Sequence, residues 1–125
     1  MSSLPVRSAS AITTIVVALL ALTPATASVA AGAHARAAKD TVGAKEFSFK
    51  LSRHSIRRPG KVAFTVKNNG SIAHNFKING KSTPNLQPGK TAHLSVSFKK
   101  RGRYRYLCTE PGHAAAGMRG VFTVR

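Results

Sequence analysis

The sequence predicts an all-β domain, an antiparallel sandwich or barrel, preceded by a cleavable signal peptide. Three observations predict it. From Lys45 onward apolar residues recur with period two and no stretch shows a helical stripe. Gly, Pro and Asn punctuate those runs. An apolar stretch near the N-terminus carries the flanks of a secretory leader. At 125 residues the chain has room for one domain and none for a multidomain enzyme.

The leader comes first. Arg7 is the only charge before Arg36, and AITTIVVALLAL runs from Ala11 to Leu22, followed by Thr23-Pro24 and the small-residue end Ala25-Thr26-Ala27. That run falls short of the roughly 20 residues a bilayer span needs. Residues 1–27 are therefore expected to be a signal peptide, 28–41 a flexible Ala-rich tail, and 42–125 the folded domain. The rival is an uncleaved anchor, because Ser28–Ala35 stays small and Ala-rich. Either way the domain is expected outside the cytoplasm, in the periplasm, the cell envelope or the medium.

Six runs follow in order. Phe47, Phe49 and Leu51 alternate with Glu46, Ser48 and Lys50. Val62, Phe64 and Val66 follow Pro59-Gly60; Phe76 and Ile78 close on Asn79-Gly80. Leu94, Val96 and Phe98 follow Pro88-Gly89, Tyr104 and Tyr106 lead into Cys108, and Gly120–Arg125 is the last. Some 85 residues of this kind bury one apolar layer between two sheets, roughly 60–65% of the unfolded surface, and leave no room for a large catalytic cleft.

Charge and cysteine narrow the function. There are 20 Lys+Arg against 3 Asp+Glu, a net +17 that becomes +16 if Arg7 leaves with the leader. Asp40, Glu46 and Glu110 are the only acids, too few for paired-carboxylate hydrolysis. The single Cys excludes an internal disulfide, a CxxC redox pair and a Cys-rich zinc module. Lys99–Arg105 packs five positive charges into seven residues, which invites a polyanion or membrane-surface role but also suits a solvated hairpin turn.

The most specific chemistry lies elsewhere. Cys108, His113 and Met118 are spaced C-x4-H-x4-M. Thiolate, imidazole and thioether together suit copper better than harder cations, and a second His completes the set. His74, in SIAHNFKI, is the candidate. Alternate residues of a strand share a face. His74 is in phase with Phe76 and Ile78, Cys108 with Tyr104 and Tyr106, and Met118 with Gly120, Phe122 and Val124. Three ligands thus stand on core faces at strand ends, and the loop turned by Pro111-Gly112 brings in His113. His54 and His93 are out of phase with their neighbours and face solvent, and His34 lies in the tail. Alone, Cys108 reads as a small buried hydrophobe and Met118 as core filler. Zinc accepts Cys plus two His; the thioether favours copper.

The segment Tyr-x-Tyr-x-Cys-Thr-x-Pro-Gly-His-x4-Met-x-Gly within Gly102–Arg125 resembles the copper-binding end of the small cupredoxins, blue-copper proteins of the plastocyanin and azurin kind. The His74-Asn75 pair resembles that family's first ligand, and the likeness covers about residues 42–125. The resemblance implies a Greek-key β-sandwich of eight strands, two more than the runs above. It implies one copper, with His74, Cys108 and His113 equatorial and Met118 a long axial ligand. It also implies that Asn75 pairs with Thr109 to hold the ligands from outside.

The expected function is a one-electron carrier, not an enzyme, because the set leaves no open position for substrate. The alternative is a copper carrier or buffer that delivers metal to another protein. Pro111, Ala114, Ala115 and Ala116 surround His113 with small apolar side chains, a patch suited to brief docking. The charge points to an acidic redox partner protein or an anionic surface, with membrane-surface association in reach; nucleic acid is not expected, and the chain is expected to be a monomer.

Overall fold

A computed structural model describes residues 3–5 and 36–125. The expected leader, its cleavage site and the tail up to residue 35 lie outside the described residues. Among the described residues there are nine strands: β1 (Ala38–Lys45), β2 (Ser48–Leu51), β3 (Ser55–Ile56), β4 (Gly60–Asn68), β5 (Lys77–Ile78), β6 (Lys81–Ser82), β7 (Thr91–Phe98), β8 (Gly102–Leu107) and β9 (Arg119–Val124). They form two sheets, ordered β2-β1-β4-β7 and β3-β9-β8-β5-β6.

The expected all-β sandwich is present, with two corrections. The sheets are not purely antiparallel: β1 runs parallel to β4, and β3 parallel to β9. After the β1–β2 hairpin the chain crosses to the other sheet at β3 and returns at β4, so β4 enters from the same end as β1. The second correction concerns the tail, which was expected to reach residue 41. Ala38–Thr41 instead belongs to β1, paired residue by residue with Ala38↔Val62 through Ala44↔Asn68. This strand has no strongly apolar alternation to betray it, because its buried face includes a carboxylate, Asp40, beside Val42 and Ala44. Asp40 Oδ1 accepts hydrogen bonds from the Ser52 hydroxyl at 2.7 Å and the Arg53 amide at 2.9 Å. Its Oδ2 has no partner, and burial pushes the carboxyl above the usual range.

The remaining runs became β2, β4, β5, β7, β8 and β9 with the expected faces inward. Asn79 and Gly80 both adopt positive φ, 48° and 74°, which a two-residue turn between β5 and β6 requires. Gly120 stands opposite Tyr106 in the β8–β9 register, and a Cβ there would run into the tyrosine ring. Phe47 departs from its run: it lies in the β1–β2 turn, 42% exposed.

The centre of the sandwich is aromatic. Phe64, Phe76, Phe98 and Phe122 are all at most 1% exposed. Phe98 stacks on Phe122 with ring centroids 5.4 Å apart, and Phe64 sets its ring edge-on to Phe122 at 5.7 Å. Such pairs add about 0.5–1.5 kcal/mol beyond the area they bury. Strand registers give the sandwich two distinct ends. The β3–β4 and β7–β8 connections and the end of β9 share one, since Gly60 pairs with Phe98 and Gly102 with Val124. The β1–β2 turn and the loops after β4 and β8 occupy the other.

Phe64→Ala is expected to cost about 3–5 kcal/mol of unfolding free energy, and Phe64→Leu distinctly less. Urea unfolding of the two variants checks this; equal losses would show that the ring is not the central packing element.

Candidate metal centre

Backbone pairing delivers the candidate ligands to one point. His74 precedes β5 and forms an isolated bridge with Leu86, donating its amide to the Leu86 carbonyl at 3.1 Å and accepting one at 2.7 Å. Cys108 is the residue after β8 and Met118 the residue before β9. The Cys108 amide donates to the Met118 carbonyl at 3.1 Å, and the Met118 amide donates to the His113 carbonyl at 3.0 Å. Three ligands are thus tied by two main-chain bonds. Gly112, at φ 82°, supplies the left-handed residue the loop needs immediately before His113.

Side chains complete the cluster. His74, Cys108 and Met118 are each 0% exposed, and His113 is half-buried. One donor atom each from His74, Cys108 and His113 lie within 4.8 Å of one another. His74 Nδ1 faces His113 Nδ1 at 3.2 Å, and Cys108 Sγ is 3.5 Å from the same His113 atom. Met118 packs with Cys108 and Ala44 in a small buried cluster against Phe49. His54 and His93 are both exposed, away from this cluster, and His34 lies outside the described residues.

Asn75 and Thr109 meet as a reciprocal pair. Asn75 Nδ2 donates to Thr109 Oγ1 at 2.6 Å, and the Thr109 amide donates to Asn75 Oδ1 at 2.8 Å. The same Nδ2 also donates to Asn85 Oδ1 at 2.6 Å, and Asn85 Nδ2 donates to Glu110 Oε1. Asn75 is 4% exposed, so this pairing satisfies a buried amide while it clamps the residues following two ligands together.

Sequence reasoning missed Glu46, which alternation placed on the outward face of a strand. It sits in the β1–β2 turn with Oε1 3.2 Å from His74 Nε2. Its own amide, and those of Ser71 and Ile72 donating at 2.6 and 3.0 Å, hold the carboxyl down at about 2. An ionised carboxylate only accepts, so the proton on His74 must be at Nε2. Nδ1 is left with its lone pair toward the cluster, the outer-sphere arrangement that fixes a metal-binding imidazole. The seat is built by neighbours. Fully buried Asn68 donates to the Ile72 and Leu86 carbonyls, both at 2.7 Å, and accepts from the Gly70 amide at 2.8 Å. A Cβ at Gly70 would overlap the Glu46 carboxylate. Scarcity was the only signal in the sequence: three acids in the whole chain, and no spacing rule linking Glu46 to His74.

The patch residues of the His113 loop differ in exposure. Pro111, Ala115 and Ala116 are exposed and Ala114 is half-buried. Phe47 adds its ring, edge-on to His113 with centroids 5.1 Å apart.

The donors are two imidazoles, a cysteine sulfur and a thioether. Zinc sites draw on Cys, His and carboxylate, whereas a weak axial thioether beside two His and a Cys belongs to copper. The set fits one type 1 copper. Comparisons with known proteins agree. The model of the family described as Cupredoxin-like domain matches residues 11–124. Among solved structures, the chain is similar to dithionite-reduced auracyanin from Roseiflexus castenholzii, with a TM-score of 0.64 and 20% identity over 71% of this chain and 98% of that one. It is also similar to auracyanin A, a "blue" copper protein from Chloroflexus aurantiacus, with a TM-score of 0.60 and 20% identity over 70% of this chain and 98% of that one. Identities this low speak to the fold alone. Two curated relatives are copper-resistant cuproproteins CopI: that of Vibrio cholerae, 32% identical over 46% of each chain, and that of Pseudomonas aeruginosa, 45% identical over 32% of this chain and 22% of that one. The chain spans less than half the length of either.

Glu46→Gln keeps the shape and removes the charge behind His74. It is expected to loosen Cu(II) about 10–100-fold. If Cu(I) affinity is unchanged, the midpoint potential rises by about 60–120 mV. Glu46→Asp should restore part of the shift. Voltammetry of the loaded variants checks this; an unchanged potential would reduce the contact to loop packing.

Proposed function

The chain belongs to the cupredoxin-like domain family, and from that premise we propose that it is a one-electron carrier working outside the cytoplasm. Copper bound by His74, Cys108, His113 and Met118 supplies a one-electron Cu(I)/Cu(II) couple. The protein's part is to hold those donors still. Main-chain bonds join Cys108 to Met118 and Met118 to His113, while Glu46 and the Asn75–Thr109 pair hold the imidazole and the loop from outside. Ligands held by the fold need little rearrangement when the charge on the metal changes, which favours electron transfer over substrate chemistry.

The observation that carries this reading is the apolar rim of the one half-exposed ligand. Phe47 and Ile72, 42% and 44% exposed, are the only large apolar side chains left exposed among residues 36–125, and both lie at the metal end. Phe47 sets its ring edge-on to His113, and Pro111, Ala115 and Ala116 are exposed in the same loop as that ligand. A small apolar surface around a ligand suits the brief, small contacts of electron-transfer partners. In this reading residues 1–27 serve as the export signal, and the chain acts as a monomer.

A second reading, copper delivery or buffering, is favoured by the likeness to the copper-resistance proteins. The two part on metal exchange: a carrier of electrons survives repeated reduction and reoxidation with its copper retained, whereas a carrier of copper yields it to a competing chelator.

Two measurements test the proposal. Loading with Cu(II) is expected to produce an intense thiolate-to-copper absorption band that Cys108→Ser abolishes; a colourless protein that selects zinc would overturn the copper assignment. Ala115→Glu should leave that band intact and slow electron self-exchange about tenfold, equivalent to ~1.4 kcal/mol lost from the encounter. Unchanged exchange would place the docking surface elsewhere.

A further inference from the structure

Nine of the 19 lysines and arginines among the described residues gather at the end of the sandwich opposite the metal centre. The β3–β4 connection, the start of β4 and the end of β9 come together there. A cleft of about 820 Å³ at this end is lined by Arg36, Arg53, Arg57, Arg58, Lys61 and Arg125. No Asp or Glu is among its lining residues. The β7–β8 turn adds Lys99, Lys100 and Arg101 at the same end, because Phe98 pairs with Gly60 and Gly102 with Val124. All nine side chains are exposed. Among the described residues no lysine or arginine lies within salt-bridge distance of a carboxylate. Glu46 and Glu110 lie at the metal end, and Asp40 is buried inside the sandwich.

We propose that this basic pole binds the anionic headgroups of a phospholipid bilayer, leaving the His113 edge directed away from the membrane. Two features favour a bilayer over other partners. Single-stranded nucleic acid is held by exposed aromatic rings interleaved with cations. The one aromatic beside this turn that is not fully buried, Tyr104, packs instead on Phe98 at 4.7 Å and donates its hydroxyl to the Lys100 carbonyl. A protein partner is usually anchored on a buried apolar centre. The exposed large apolar side chains of residues 36–125, Phe47 and Ile72, lie at the opposite end. Guanidinium groups suit a bilayer further, because their forks match phosphate oxygens in pairs. The proposal is independent of which role the copper centre serves.

The test is partitioning of the full chain onto vesicles of phosphatidylcholine alone and of phosphatidylcholine with 30% phosphatidylglycerol, titrated with lipid. The ratio of the two partition coefficients cancels any apolar contribution of the leader and reads charge. Arg57→Gln/Arg58→Gln/Lys61→Gln is expected to lower that ratio about a hundredfold. Raising the salt should lower it for the unaltered chain. Lys45→Gln/Lys67→Gln/Lys90→Gln removes the same charge from the other end and should leave the ratio within a few-fold. Equal loss in both triple variants would reduce the effect to net charge and overturn the pole. Displacement by a single-stranded oligonucleotide at equal phosphate concentration would overturn the lipid assignment, and so would a ratio near one for the unaltered chain. Unchanged thermal midpoints in both variants are the check that the fold is intact.

Discussion

Two main-chain hydrogen bonds, from the Cys108 amide to the Met118 carbonyl and from the Met118 amide to the His113 carbonyl, are the constraint on which the metal end depends. They make the ligand loop an extension of the β8–β9 pair. Fixing a backbone residue costs about 1–2 kcal/mol, and in this loop bonding to the neighbouring ladder offsets part of that cost. The His74, Cys108 and His113 donor atoms stand within 4.8 Å of one another.

Placing such a site inside a core carries a penalty, because His74, Asn68 and Asn75 are polar and buried. Each is matched. Asn68 makes three hydrogen bonds that shape the loop after β4. That loop presents the Ser71 and Ile72 amides to Glu46, and Glu46 in turn sets the proton on His74. Buried polar groups that are fully partnered specify one arrangement, whereas a single unpartnered one costs about 1–3 kcal/mol. Ligand orientation is therefore relayed from the end of β4 through Glu46 to the imidazole. Asp40 Oδ2 is the exception among the described residues, a buried oxygen left without a partner.

The molecule also divides its surface. The exposed large apolar side chains of residues 36–125 and two of the chain's three acids lie at the metal end, and a dense group of cations lies at the other. Net charge describes the whole chain and hides this separation. The field around the protein is directional, so approach to an anionic surface and approach to a partner at His113 need not compete for one face.

The alternation of Val62–Val66 and Leu94–Phe98, the turn pairs, and the C-x4-H-x4-M spacing were enough to determine an all-β sandwich and its candidate donors. Those signals are local: strand parity and ligand spacing are properties of adjacent residues, so they survive in one dimension. Tertiary structure alone decided the rest. Strand β1 was hidden because Asp40 stands on its inner face, where only Ser52 and Arg53, brought beside it by β2, make a carboxylate tolerable. Glu46 and Phe47 looked like part of an alternating strand, yet the β1–β2 turn redirects them to His74 and His113. The basic pole likewise joins cations as far apart in the chain as Arg36 and Arg125. Contacts across many residues depend on which strands lie side by side, and sequence periodicity records which face a residue takes but not its neighbour across the sheet.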